Sequence, residues 1–176
     1  AYGGTVTVTN STFSGNTAGN YGSAIRNFKV TAMTLDYVTI AANSASGFSD
    51  GALDVEYDGT ISISNSIVAG NTNGDCNDGT NSGPGLTDSG NNFFGDTSCN
   101  GTANGNPMLS TLDYTGGLTP TMPPLNGSPV IDAANCEMAV ATDQRGVTRP
   151  QGAGCDIGAA EVETPIFADG FEATGG

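Results

Sequence analysis

Apolar and polar residues alternate over three stretches of this chain, and the three stretches align. Residues 5–16 carry Val6, Val8 and Phe13, residues 32–43 carry Met33, Leu35 and Ile40, and residues 60–71 carry Ile61, Ile63 and Val68. The offsets are 27 and then 28 residues. A second short apolar pair repeats in step, Ala24-Ile25 recurring as Ala52-Leu53. Alternation of period two predicts strands with one face inward. A fixed repeat of this size predicts a stacked architecture. One unit is too small to bury its own apolar face, whereas stacking at the strand spacing of about 4.8 Å buries the columns continuously. The expected fold is therefore all-β, a parallel β-helix of 27–28 residues per coil. An antiparallel sandwich would need three columns and a corner to coincide by chance. That corner is the column Asn16, Asn43 and Asn71, preceded by the small residues Gly15, Ala42 and Gly70. Stacked side-chain amides can hydrogen-bond along the axis as a structural ladder, and Asn tolerates a left-handed bend.

The period weakens after residue 72. Residues 73–106 are dense in Asn, Asp and Gly around one apolar patch, Phe93-Phe94, and residues 107–130 carry five prolines. Proline confines regular strand pairing to edges. Residues 1–72 are read as the coils, and 73–161 as irregular final coils and a cap closing one end. Residues 162–176 are read as a tail. Ile166, Phe167 and Phe171 in that tail are candidate assembly residues, able to pack back or to join a neighbour's sheet edge. A linker toward an anchor is the other reading. The first coil begins within four residues of the start. Its edge predicts either a cut from a longer β-helix or cover by a neighbouring subunit, a head-to-tail contact that can propagate as a filament.

Composition narrows the function. Charged residues are only 12% of the chain, so its polarity is the neutral polarity of Asn, Ser, Thr and Gly, which disfavours helices. Four Lys and Arg against eighteen Asp and Glu give a net charge of −14. No basic footprint for nucleic acid can be built from that, and anionic membrane surfaces would repel it. With no histidine, Ser-His-Asp and Cys-His catalytic sets and His-ligated zinc are excluded. No apolar run approaches a membrane span. The opening Ala1-Tyr2-Gly3-Gly4 has no leader pattern, so a leader removed earlier or a longer parent is expected.

Cys76, Cys99, Cys136 and Cys155 are even in number and form no C-x-x-C pair. Of the three possible connectivities, Cys76–Cys99 with Cys136–Cys155 is favoured, since each pair brackets one loop-rich segment. Disulfides point to an oxidising compartment: secreted, extracellular or cell-surface. The segments Asn65–Thr72, Asn126–Ala133, Thr142–Pro150 and Gly154–Glu161 resemble the bacterial choice-of-anchor Q domain proteins, which are related to polymorphic outer-membrane proteins. That resemblance covers roughly residues 5–161. It implies a right-handed, extracellular or surface-attached parallel β-helix, and it carries over no catalytic residues. The chain departs from it at Gly22-Ser23-Ala24-Ile25-Arg26-Asn27, where the family has Gly-Gly-Ala-Ile-Tyr-Asn, and in lacking a longer N-terminal array. Residues 166–172 are similar to a C-terminal signature of some secreted proteobacterial proteins.

Several residues are candidates for chemistry. Asp75, Asn77 and Asp78 offer oxygen ligands on a Gly-rich loop, the donor type that suits calcium; solvated turn residues are the plainer reading. Asp143, Arg145 and Arg149 are read as an internal clamp holding the cap, with a glycan carboxylate site as the alternative. Asp36, Asp54 and Glu56 could form a carboxylate cluster, Arg26 and Lys29 are the only cations on the coils, and Tyr2, Tyr21, Tyr37, Tyr57 and Tyr114 could stack on sugars. No cofactor is required, calcium aside. The expected function is non-enzymatic: an extracellular structural or adhesive surface protein, self-assembling or joined to other surface components, with glycans as further partners. A carbohydrate-active lyase or hydrolase and a monomeric glycan- or calcium-binding module are the alternatives.

Overall fold

A computed structural model describes residues 4–28, 32–47, 51–79, 85–99, 101–136 and 140–162. The chain is all-β, and no helix occurs among the described residues. Eleven strands follow in order: β1 (Thr5–Ser14), β2 (Thr17–Ala18), β3 (Ile25–Phe28), β4 (Ala32–Ala41), β5 (Ser44–Ala45), β6 (Leu53–Glu56), β7 (Thr60–Ser64), β8 (Ile67–Ala69), β9 (Cys76–Gly79), β10 (Gly85–Asp88) and β11 (Phe93–Phe94).

Among the described residues every pair of these strands is parallel, and each joins residues about one repeat apart. Val6 lies beside Met33, and Met33 beside Ile61. Phe13 lies beside Ile40, and Ile40 beside Val68. β2 pairs with β5, whose Ser44 bridges to Thr72. β3, β6 and β9 form a third sheet. The three sheets thus share a common succession of rungs. The apolar columns meet inside, where Leu35, Ile40, Leu53, Ile61, Ile63 and Val68 have no exposed surface. Burial of apolar area, at about 25 cal/mol per Å², makes this continuous column a stabilising term of the stack.

The break at residue 73 is a break in spacing and not in pairing. Leu53 lies beside Cys76, Ile61 beside Leu86, and Ile67 beside Phe93, so the next rung uses 23 to 26 residues where the earlier ones use 27 or 28. Cys76, Leu86 and Phe94 extend the same core.

Of the expected final coils and cap over 73–161, residues 76–104 supply the last rung and the loop at its outer edge, and residues 107–162 take another course. They form isolated antiparallel bridges (Leu109 to Pro124, Asp113 to Thr121, Ala134 to Cys155, Thr142 to Thr148) and lie along one flank. Asn10 Nδ2 donates to Thr142 O at 2.6 Å and Thr12 Oγ1 to Gln144 Oε1 at 2.7 Å on the first rung. Tyr37 Oη donates to Asn135 O at 2.7 Å, and Ala159 N to Thr39 Oγ1 at 3.0 Å, on the second. Gly158 N reaches Asn65 O on the third. Val130 and Ile157 pack with Ile67 and Phe93 of the last two rungs. The segment is a strap across all four rungs. Contact is closest at Gly158: φ is +100°, and a Cβ there would lie 2.7 Å from Ile67 Cδ1 and 2.8 Å from Thr39 Oγ1. The expected tail residues Ile166, Phe167 and Phe171 lie outside the described residues.

Candidate functional site

The corner asparagines stack one rung above another. Asn16 Nδ2 donates to Asn43 Oδ1 at 2.8 Å, and Asn43 Nδ2 donates to Asn71 Oδ1 at 3.0 Å. The backbone N–H groups of Asn16 and Asn43 donate to the same two oxygens. Asn71 Nδ2 then donates to Asp75 Oδ1 at 2.9 Å, so a carboxylate ends the column. Burial, opposed by the Asn71 hydrogen bonds, holds the Asp75 carboxyl above the usual carboxylate range. A hollow of about 410 Å³ opens beside it, lined by Asn71, Asp75, Asp96 and Asn106.

A second column bends the strands. Asn10, Tyr37 and Asn65 align in the repeat and share a left-handed backbone, with φ of 47°, 53° and 48°. Asn accepts this conformation readily, whereas a bulky ring is strained there. Tyr37 is held by its hydroxyl bond to the strap and by the Arg149 guanidinium 4.0 Å from its ring centroid.

The two ends of the stack differ. Among the described residues β1 pairs only with β4, and Val6, Val8 and Phe13 remain partly exposed. At the other end, outward-facing backbone groups are taken by side chains and a loop. Phe93 N and Gly95 N bond to the third rung, so the backbone groups of Phe94 point away from it while its ring stays in the core; its N–H donates to Asn104 Oδ1 at 2.9 Å, and its carbonyl accepts from Asn104 N at 2.7 Å. Cys76 N donates to Ser98 Oγ at 2.9 Å, and Leu86 N to Asp78 Oδ2 at 3.3 Å. The Cys76–Cys99 disulfide pins this loop, with Cys99 buried in the core. The second disulfide, Cys136–Cys155, lies within the strap.

Asp75, Asn77 and Asp78, the calcium candidates, do not converge. Asp75 accepts from Asn71 and Asp96 N, Asn77 Nδ2 donates to Asp54 Oδ1 at 2.6 Å, and Asp78 accepts from Leu86 N. Neighbouring strand residues point to opposite faces, and both Asp75 oxygens and Asp78 Oδ2 accept from local partners. Among the described residues no group of three or more Asp, Glu, Cys or His is placed to hold a metal. Nor do the three carboxylates form one cluster: Asp36 lies on β4 and Asp54 and Glu56 on β6, in different sheets. Asp36 accepts from Ser64 Oγ and Asn65 Nδ2, both at 2.9 Å, beside a polar hollow of about 310 Å³.

The clamp residues all serve the strap, with one partner that sequence reasoning missed. Arg145 pairs with Asp143 through Nε at 2.9 Å and Nη2 at 2.8 Å. Arg149, with 1% of its side chain exposed, pairs with Glu161 and not with Asp143; Nη1 donates to Oε1 at 2.5 Å. Arg149 also donates to Asn10 Oδ1, Asp156 O and Gly158 O. Burial raises the Glu161 carboxyl pKa, partly offset by hydrogen bonds and by Arg149. Glu161 is fully enclosed; it closes the segment Gly154–Glu161 that carries the resemblance, but no repeat or spacing there pairs it with Arg149. No family model matches this chain, and no curated protein or solved structure matches it.

Proposed function

We propose that this chain is a non-enzymatic extracellular structural module, a right-handed parallel β-helix that ends a stacked scaffold. The observation that carries this reading is the asymmetry of its ends. Each end of a stack exposes backbone donors and acceptors that will pair with another strand unless blocked. The β1 edge is paired on one side only among the described residues, with its apolar column partly open. The far edge is blocked by Asn104, Ser98, Asp78 and the disulfide-pinned loop. Such a module accepts a further rung at one end and stops growth at the other. Head-to-tail propagation would need both ends open, so a terminating role is favoured over a filament subunit. The right hand follows from the strong preference of parallel crossovers, the solenoid from register at a near-constant repeat. An extracellular setting is supported by two disulfides. The resemblance to choice-of-anchor Q proteins agrees with a surface-attached role.

The test is negative-stain electron microscopy with light scattering on the unreduced chain across a wide concentration range. Single particles or end-to-end pairs are expected. Long filaments with an axial repeat of one short stack would overturn the terminating role and favour the propagating one.

A further inference from the structure

The outward face of the β3–β6–β9 sheet carries a constellation with no part in the stack's interior. Alternation along β3 buries Ile25 and Asn27 and turns Arg26 and Phe28 outward. β6 sets Asp54 beside Arg26 and Glu56 beside Phe28. The Arg26 guanidinium is fixed from below: Nε lies 3.1 Å from Asp54 Oδ2, off the line of a hydrogen bond, and Nη2 donates to Glu56 Oε2 at 2.5 Å. Its flat face is covered by the Tyr21 ring, centroid 4.2 Å away, and the Phe28 ring centroid lies at 4.9 Å. Tyr57 meets Phe28 edge-on, with centroids 4.8 Å apart. Three rings and one guanidinium make a continuous surface.

Two further observations separate this surface from ordinary packing. Tyr21 and Tyr57 are 40% and 46% exposed. Both also hold a left-handed backbone, with φ of 59° and 55°. That conformation costs a bulky residue on the order of 1 kcal/mol or more, and Gly or Asn would adopt it freely. Strain spent on presenting aromatic rings to water is a mark of recognition.

The chemistry selects a ligand class. Aromatic faces match the C–H face of a pyranose ring, while Arg26 and Glu56 offer a donor and an acceptor at the rim for its hydroxyls. A net charge of −14, with Glu56 at the site, opposes polyanions. We propose that Tyr21, Arg26, Phe28, Glu56 and Tyr57 form a shallow surface site for a neutral, pyranose-containing glycan. This site is independent of the stacking role, and a binding assay on the dispersed chain leaves that role untouched.

The chain contains no Trp, so its intrinsic emission reports tyrosine alone. Titration of the unreduced full chain with cellohexaose, xylohexaose and mannohexaose, followed by emission and calorimetry, tests the site, with polygalacturonate as the anionic control. Saturable binding of at least one neutral hexasaccharide is expected, with a dissociation constant of about 0.1–10 mM. Tyr21→Ala and Tyr57→Ala should each weaken it roughly tenfold or more, about 1.4 kcal/mol. Tyr21→Phe should retain it, since the ring remains. Tyr114→Ala, at a tyrosine 69% exposed and outside the constellation, should leave it unchanged. Absence of saturable binding to all three sugars, tighter binding of polygalacturonate, or an equal loss in Tyr114→Ala would each overturn the site.

Discussion

The side chain of Asn43 accepts from Asn16 and donates to Phe13 O, Ala41 O and Asn71 Oδ1, with 1% of the residue exposed. Removing such a group strands several buried partners, whereas Asn16 at the exposed end of the column strands few. Asn43→Ala should therefore cost about 3 kcal/mol, and Asn16→Ala about 1 kcal/mol, in urea unfolding with both disulfides intact. Equal losses would mean that position along the ladder does not matter. The buried Arg149–Glu161 pair makes a sharper case, because deleting one partner leaves an uncompensated charge. Arg149→Met should cost roughly 3–5 kcal/mol, read from the same transition; a loss below 1 kcal/mol would show that water reaches Glu161. The ladder was legible in the sequence because its residues recur at a fixed period. Glu161 was not, since a partner met once has no column to betray it. Tyr37 sits between both cases: its place was set by Asn10 and Asn65, but its strain and its anchor to the strap appear only with the strap in view.

Among the strands, the three aligned apolar columns were sufficient to set register. Val6, Met33 and Ile61 align in the structure as they align in the text of the chain. The fourth rung escaped because its spacing shrinks and because Cys76 takes the place of an aliphatic residue. Phe93-Phe94 was its remaining trace. Strands with one covered edge should open before strands with two. Hydrogen exchange should thus be faster in β1 than in β4 or β7, and slow in β11, whose outward groups Asn104 holds. Protection of β1 equal to that of β4 in the dispersed chain would show its edge to be covered. Gly158→Ala introduces both a strained φ and a contact of 2.7 Å with Ile67. It should loosen the strap, raising exchange at Ala159 and at neighbouring strap amides while β6 stays protected.

The whole molecule is an acidic surface around several desolvated carboxylates. Burial raises Asp54, Asp75, Asp156 and Glu161 above the usual range, against their hydrogen bonds; Asp96 moves the other way, its Ser98 hydrogen bonds outweighing burial. A raised carboxyl binds its proton more tightly in the native state than in the unfolded chain. Stability from these four is thus present at low pH and lost as pH rises through their raised values; the Asp96 contribution runs oppositely and is lost as pH falls through its lowered value. The net charge of −14 adds repulsion that acidification relieves. The melting temperature should be higher at pH 5 than at pH 7.5, and a lower one would assign control to the ion pairs instead. At this scale sequence reading did least well, because residues 107–162 have no period and their long-range partners are single hydrogen bonds scattered over the rungs. Their path has a mechanical meaning. The strap leaves the last rungs and comes back to the first, where Arg149 and Thr142 meet Asn10. Farther along, Gly158 and Ala159 reach the third and second storeys, at Asn65 and Thr39. A strap seated on successive storeys works as a splint. Sliding of one storey over the next is resisted at every seat and not at one joint.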